Sequence, residues 1–256
     1  MKILSAIFIA FFLAGCLAQT PITHRNQVVF MSPQEEKTLG EKSYREFLAK
    51  AKISKDRYQT ERIKRIGKRI AKAANRPDFK WEFNLIEDKQ VNAWCMPGGK
   101  VVVYTGILPV AQNDDQLATV MSHEIAHALA RHGAERMSYQ QISNTIGQIG
   151  SVFVGGYAPG LSSAFNVAYS TGVNVGVMLP FSRSHETEAD EIGVRLMDKA
   201  GYNIDEAIKF WENMKRLKGG SSNKNDFFST HPSDDKRIKA ITKLVQKIKA
   251  EKRRRR

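Results

Sequence analysis

Between residues 56 and 74 the isoleucines at 63, 66 and 70 share one stripe, with Arg62, Lys64, Arg65, Lys68, Arg69 and Lys72 around it, which predicts a helix with a single core face. Ahead of it, Ser32-Pro33-Gln34-Glu35 carries the marks of a helix start: a capping serine, a proline in the first turn and a glutamate closing a capping box. A first helix to about Ala51 follows from these. The period then changes to two. Trp81, Phe83 and Leu85 alternate, and Asn92 to Met96 and Val101 to Tyr104 form two more extended runs around Pro97-Gly98-Gly99, a pattern that predicts a small antiparallel sheet. Asn113-Asp114-Asp115 can cap a long helix through His127 to about Arg131, with Gly133 as its break. Helices are also expected over 182 to 200, 205 to 217 and 233 to 250, which makes the fold class α+β and mainly helical.

From Met137 to Ser182 no residue is charged. A membrane helix is one reading, but Pro159 and Gly155-Gly156 interrupt the first half, and Asn166, Ser170 and Asn174 load the second with polar groups. The segment 145–181 is therefore expected to be a mobile, apolar lid or hairpin beside the active site.

Two of the chain's segments read as something other than core. Met1-Lys2 precedes an uncharged run from Ile3 to Leu13 and then Ala14-Gly15-Cys16, the layout of an export signal over residues 1–15 and too short to span a bilayer comfortably. Leu13-Ala14-Gly15-Cys16 resembles the bacterial lipobox; an ordinary signal peptide cut near Ala18 is the alternative. The resemblance implies an acylated Cys16 at the mature N terminus and residues 16–31 as a tether. Leu17 in place of an aspartate then implies the periplasmic face of the outer membrane in a Gram-negative envelope. The domain proper, 32–250, keeps Cys95 as its only thiol and cannot form an internal disulfide. At 256 residues and 42% hydrophobic positions the chain can bury one good core. Its net charge of +14 would allow an anionic partner, yet the charge is spread over amphipathic stretches and a basic tail, 251–256, and no nucleic-acid motif is present. Nucleic acid is not expected as a partner.

The chemistry is concentrated in two short patterns. His123-Glu124-Ile125-Ala126-His127 places two imidazoles one helical turn apart on the same face, where both reach one metal ion, and sets Glu124 beside them as the catalytic base. Catalytic zinc usually keeps three protein ligands. Downstream, Glu186-Thr187-Glu188-Ala189-Asp190 puts Glu186 and Asp190 one turn apart, so that Glu186 can be the third ligand of a single Zn2+ while Asp190 buttresses a ligating histidine. Glu188 is expected on the solvated side. His24, His132 and His185 look unremarkable, His185 facing elsewhere on its helix.

Taken in order, Asn92-Ala93 with Pro97-Gly98-Gly99, His123 to His127, Ser182-Arg183 ahead of Glu186-x-x-Ala189-Asp190, and Thr230-His231-Pro232 followed by Arg237-Ile238 resemble the zinc metallopeptidases that include HtpX and the CAAX prenyl protease, in particular their small bacterial lipoprotein members. The resemblance covers residues 33 to 245. It implies a gluzincin-like zincin domain in which the strand Val101, Val102, Val103, Tyr104 is an edge above the metal that pairs with an extended substrate. It also implies that Asp190 orients a histidine, that Arg237 helps hold the active-site acids, and that His231 approaches the zinc as a resting ligand or as a donor to the oxyanion. The membrane helices of the larger relatives are not evident here.

The expected function is that of a zinc endopeptidase acting on misfolded or unassembled envelope proteins, anchored to the bilayer through Cys16. Two alternatives remain: an envelope chaperone or assembly factor that uses the same cleft to bind unfolded chains without turnover, and a module that binds anionic surfaces through the basic helices and tail.

Overall fold

The structure, a computed structural model, describes residues 17–220, 227, 231 and 235–254. The expected export segment, Cys16, Thr230 and Pro232 lie outside the described residues. In chain order the elements are β1 (Leu17–Gln19), β2 (Asn26–Val28), α1 (Pro33–Leu48), α2 (Arg57–Ala74), β3 (Glu82–Ile86), β4 (Ala93–Met96), β5 (Lys100–Tyr104), α3 (Asp114–Leu129), α4 (His132–Tyr157), α5 (Ser162–Val173), α6 (Leu179–Lys199), α7 (Asp205–Gly220) and α8 (Asp235–Arg254). They divide into two compact units, residues 33–130 with 187–256 and residues 1–32 with 131–186.

In the larger unit, α2 forms as its pattern requires. Asp56 caps it by accepting a hydrogen bond from the Gln59 amide at 2.9 Å, Ile63, Ile66 and Ile70 are fully buried, and Asn75 ends it in the left-handed conformation. The sheet has the order β3-β5-β4, with β3 parallel and β4 antiparallel to β5. It is mixed, and Val101–Tyr104, expected at an edge, is central. The reason is visible in the residues: all five positions of Lys-Val-Val-Val-Tyr are buried, and a continuous apolar run suits a strand covered on both faces and paired on both sides. The tight turn after β4 completes the arrangement. Pro97 leads, Gly98 takes φ of +85°, and the Gly99 amide donates to Met96 O at 3.2 Å, which folds β5 back along β4. The free edge beside α3 is therefore β4, which packs directly on that helix.

The helix α3 begins where expected, with the Asn113 side chain accepting from the Gln116 amide at 2.8 Å. Glu206 of α7 then binds both Asn113 Nδ2, at 2.9 Å, and Gln116 Nε2, at 2.8 Å, and fixes this end of the helix. Nearly every residue of α3 is buried. The helix ends because Arg131 adopts φ of +58°, not because of Gly133, which lies within the next helix. At the other end of the chain, α8 stays helical through Arg254, well into the stretch expected as a tail.

In the smaller unit, β1 pairs antiparallel with β2, and Arg25 reaches Glu135 of α4 through both guanidinium nitrogens, at 2.8 and 2.7 Å. Glu135 also holds His185 Nε2 at 2.9 Å, and the His185 ring stacks on His132 at 4.0 Å. Both histidines are buried, and neither belongs to the set of described residues that could hold a metal ion. The uncharged segment is helical on both sides of Ala158: α4, a 3-10 turn at Pro159–Leu161, α5, and a π-helical stretch at Asn174–Met178 that leads into α6. Among the described residues no helix is long and apolar enough to cross a membrane.

Candidate metal centre

His123 and His127 stand one turn apart on α3, with Glu124 between them in sequence and 4% exposed. Their Nε2 atoms lie 3.1 Å apart. On the other side of His123 Nε2, at 3.2 Å, is Nδ1 of His231, whose ring packs against Phe227. Glu186 comes from α6, the helix that runs on into the larger unit, and offers its carboxylate to the same point. One ligand atom from each of His123, His127, Glu186 and His231 lies within 4.8 Å of all the others.

The donor set fits a zinc ion. Asp190 Oδ1 is 3.0 Å from His123 Nδ1, so the proton of that imidazole belongs on Nδ1 and the lone pair on Nε2. That lone pair faces two further ring nitrogens at little more than 3 Å, a crowding of acceptors that a cation relieves. Three imidazoles and a carboxylate are the ligand types zinc takes. Cys95, near Glu124, does not compete: burial first, and the Glu124 carboxylate second, push its thiol far above the usual range, and the thiol form is a poor ligand.

Behind the histidines, Arg237 of α8 grips Asp190 with two bonds, Nε to Oδ2 at 2.9 Å and Nη2 to Oδ1 at 2.8 Å. Burial alone would raise the Asp190 carboxyl, but the Arg237 charge and the His123 hydrogen bond hold it below its usual range. The guanidinium carbon sits 3.4 Å from the centroid of the Trp211 ring, which is 1% exposed. Nothing in the sequence pointed to Trp211. Gly193 was missed as well. A Cβ there would meet His123 N at 3.1 Å and Cα at 3.2 Å, so the glycine is what allows α6 to lie against the histidine-bearing helix. Glu188, expected in solvent, is buried.

His123, His127, Glu186 and His231 converge, Glu124, Asp190 and Arg237 pack around them, and Val101–Tyr104 lies inside the sheet with β4 at its edge. The Tyr104 amide bonds Asn92 O at 3.0 Å, and the alternation that follows turns Trp94 and Met96 toward β5 and the backbone of Cys95 toward the open side.

The model of peptidase family M48 matches residues 57–245. Mitochondrial metalloendopeptidase OMA1 of Schizosaccharomyces pombe is 36% identical over 228 residues, covering 88% of this chain and 65% of that protein. OMA1 of Saccharomyces cerevisiae is 31% identical over 265 residues, 94% of this chain and 74% of the relative. The β-barrel assembly-enhancing protease of Escherichia coli K12 is 29% identical over 211 residues, 81% of this chain and 43% of the relative. The chain thus spans just under two thirds of the fission-yeast protein and less than half of the bacterial one.

Proposed function

This chain belongs to peptidase family M48, a family of zinc metallopeptidases, and we propose that it is an endopeptidase that hydrolyses misfolded or unassembled proteins of a bacterial envelope. The observation that carries the reading is the meeting of His123, His127, Glu186 and His231 around one point with Glu124 beside it.

Zinc bound there supplies Lewis-acid polarisation of the scissile carbonyl and makes water more acidic. The chain's own groups do the rest. Glu124 takes a proton from the attacking water on its carboxylate and later delivers it to the leaving amine. His231 Nε2 lies 3.5 Å from Glu124 Oε1, where the ring can serve as a ligand at rest or donate a hydrogen bond to the developing oxyanion. Asp190 keeps the His123 lone pair aimed, and Arg237 keeps Asp190 ionised. The open side of β4 takes an extended substrate by strand addition, the Cys95 amide and carbonyl forming the pairing bonds.

The envelope setting rests on residues 1–16. A single lysine followed by an apolar run and Ala14-Gly15-Cys16 is an export pattern, unlike the arginine-rich segments that address mitochondria. In this reading Cys16 is acylated and the enzyme works on the periplasmic face of the outer membrane. The E. coli relative is named for β-barrel assembly, which agrees with envelope proteins as substrates.

Metal content and casein cleavage, measured side by side on wild type and Glu186→Ala, test the proposal. One zinc per chain with cleavage, both reduced by the substitution, is the expected result. Bound zinc with no cleavage of any unfolded protein would sink the protease reading and favour the chaperone.

A further inference from the structure

The helical hairpin of the smaller unit leaves much of its apolar surface outside. On α4 the side chains of Ile149, Val152, Phe153 and Tyr157 are 66%, 76%, 64% and 81% exposed, and beyond the tip Leu161 and Val167 are 61% and 67% exposed. Gln140, Asn144 and Gln148 of α4 and Asn166 and Ser170 of α5 line an open cleft of about 350 Å³ between the two helices. Tyr169 crosses the cleft and donates its hydroxyl to Ser143 O at 2.7 Å. In water a helix pair turns its apolar stripes inward, whereas this one leaves large apolar side chains of both helices exposed.

We propose that this hairpin, residues 143–179, inserts into one leaflet of a lipid bilayer without crossing it. A protein partner would require one apolar face, whereas here the exposed apolar positions lie on both helices and at the tip between them. Lipid tails surround an element and suit that distribution. From Met137 to Ser182 no charge would have to enter the apolar phase, and the bounding residues, Arg136 and Arg183, are cations that suit the headgroup level. Length agrees as well. Within the hairpin, 143–157 of α4 and the continuous helix over 162–179 rise about 22 and about 27 Å, more than the roughly 15 Å of hydrocarbon in one leaflet and less than the full ~30 Å. The hairpin belongs to the same unit as β1, whose first residue follows Cys16, so an acyl chain and this element would approach one membrane together. The inference does not depend on the peptidase reading.

The test uses the full chain carrying Phe153→Trp, mixed with phosphatidylcholine vesicles at about 0.5 M salt, where attraction of a basic protein to charged surfaces is screened. Tail-brominated phosphatidylcholine should quench the new emission, after subtraction of wild type for the native tryptophans. Adding Val152→Asp and Tyr157→Asp should reduce that quenching about tenfold or more. These positions are exposed, so the melting temperature should stay at the wild-type value and confirm the fold. Because the probe sits in the hairpin, other attachments of the chain to the vesicle do not contribute. Unquenched Trp emission on vesicle-bound protein overturns the proposal. So does wild-type protein that ignores vesicles but forms a concentration-dependent dimer abolished by the two aspartates, which would make the surface an interface between copies.

Discussion

Arg237 and Asp190 meet as a buried, two-point ion pair whose far side rests on the Trp211 ring and whose near side ends on His123. Neither residue belongs to the set around the metal point, yet together they decide which nitrogen of His123 presents its lone pair. Replacing Arg237 with leucine leaves the Asp190 charge buried and unpaired, at a cost of ~3–5 kcal/mol, and should weaken zinc binding about 10- to 100-fold. Arg237→Lys should fall between, since an ammonium keeps the charge but neither the fork nor the stacking. Chelator competition and thermal melting, with and without zinc, separate the two effects. Unchanged zinc affinity in Arg237→Leu would deny the pair its orienting role.

Glu124→Gln should retain zinc, because Glu124 is not one of the residues that converge on the metal point. Hydrolysis of casein should fall by about 10²–10⁴-fold. Metal analysis of the purified variant beside its cleavage rate checks this, and a variant that cuts like wild type would remove Glu124 from the mechanism.

How much of this was legible in the sequence depends on what each residue needed. His123, Glu124 and His127 are neighbours on one helix, and Glu186 and Asp190 on another, so a period of 3.6 was enough to read them. The isoleucine stripe of α2 and the cap at Asn113 were legible for the same reason. What could not be read is set by distant contacts. Trp211 acquires its role from a guanidinium on α8 and Gly193 from the backbone of α3. The order of strands was misjudged because alternation identifies a strand but not its neighbours, although the unbroken burial of β5 has a trace in its run of valines. In α4 and α5 the lack of charge suggested a lid, and only the structure shows how many of their apolar side chains stay exposed.

At Gly193 a methyl group would press on the His123 backbone, which would have to give way by a few tenths of an ångström. Gly193→Ala should therefore cost little, about 1 kcal/mol, while Gly193→Val should cost ~1–3 kcal/mol through overpacking. The branched variant should also lose zinc affinity, because it pushes the helix bearing Asp190 away from His123. Denaturation with bound zinc and with chelator present gives both numbers; a valine variant as stable and as tight as wild type would mean the helices have room to spare.

The β4 edge separates backbone from side chain. Cys95→Ser should leave cleavage near wild type, as the thiol is protonated and lies outside the ligand set. Cys95→Pro removes the amide that would pair with substrate and, at an edge, spares the bonds to β5. It should raise KM for an extended peptide several-fold more than it lowers kcat. Equal KM values in the two variants would place the substrate elsewhere.

Glu206 supplies a pH dependence remote from the metal. Its carboxylate accepts from Lys209, Asn113 and Gln116, and these bonds lower its pKa to about 2. A carboxyl depressed on folding adds stability that is complete above its unfolded value, near 4.5, and is lost as pH falls toward 2. The interaction should be worth ~2 kcal/mol at neutral pH, in line with several hydrogen bonds to a charged group. Glu206→Gln should lose most of that at pH 7 and almost none at pH 2, so the two stability curves should converge as acid is added. Since Asn113 caps the helix that carries His123, Glu124 and His127, the loss should appear as fraying of that helix's first turn, with faster amide exchange at Asp115 and Gln116. Curves that stay parallel down to pH 2 would show that the glutamate acts through shape alone.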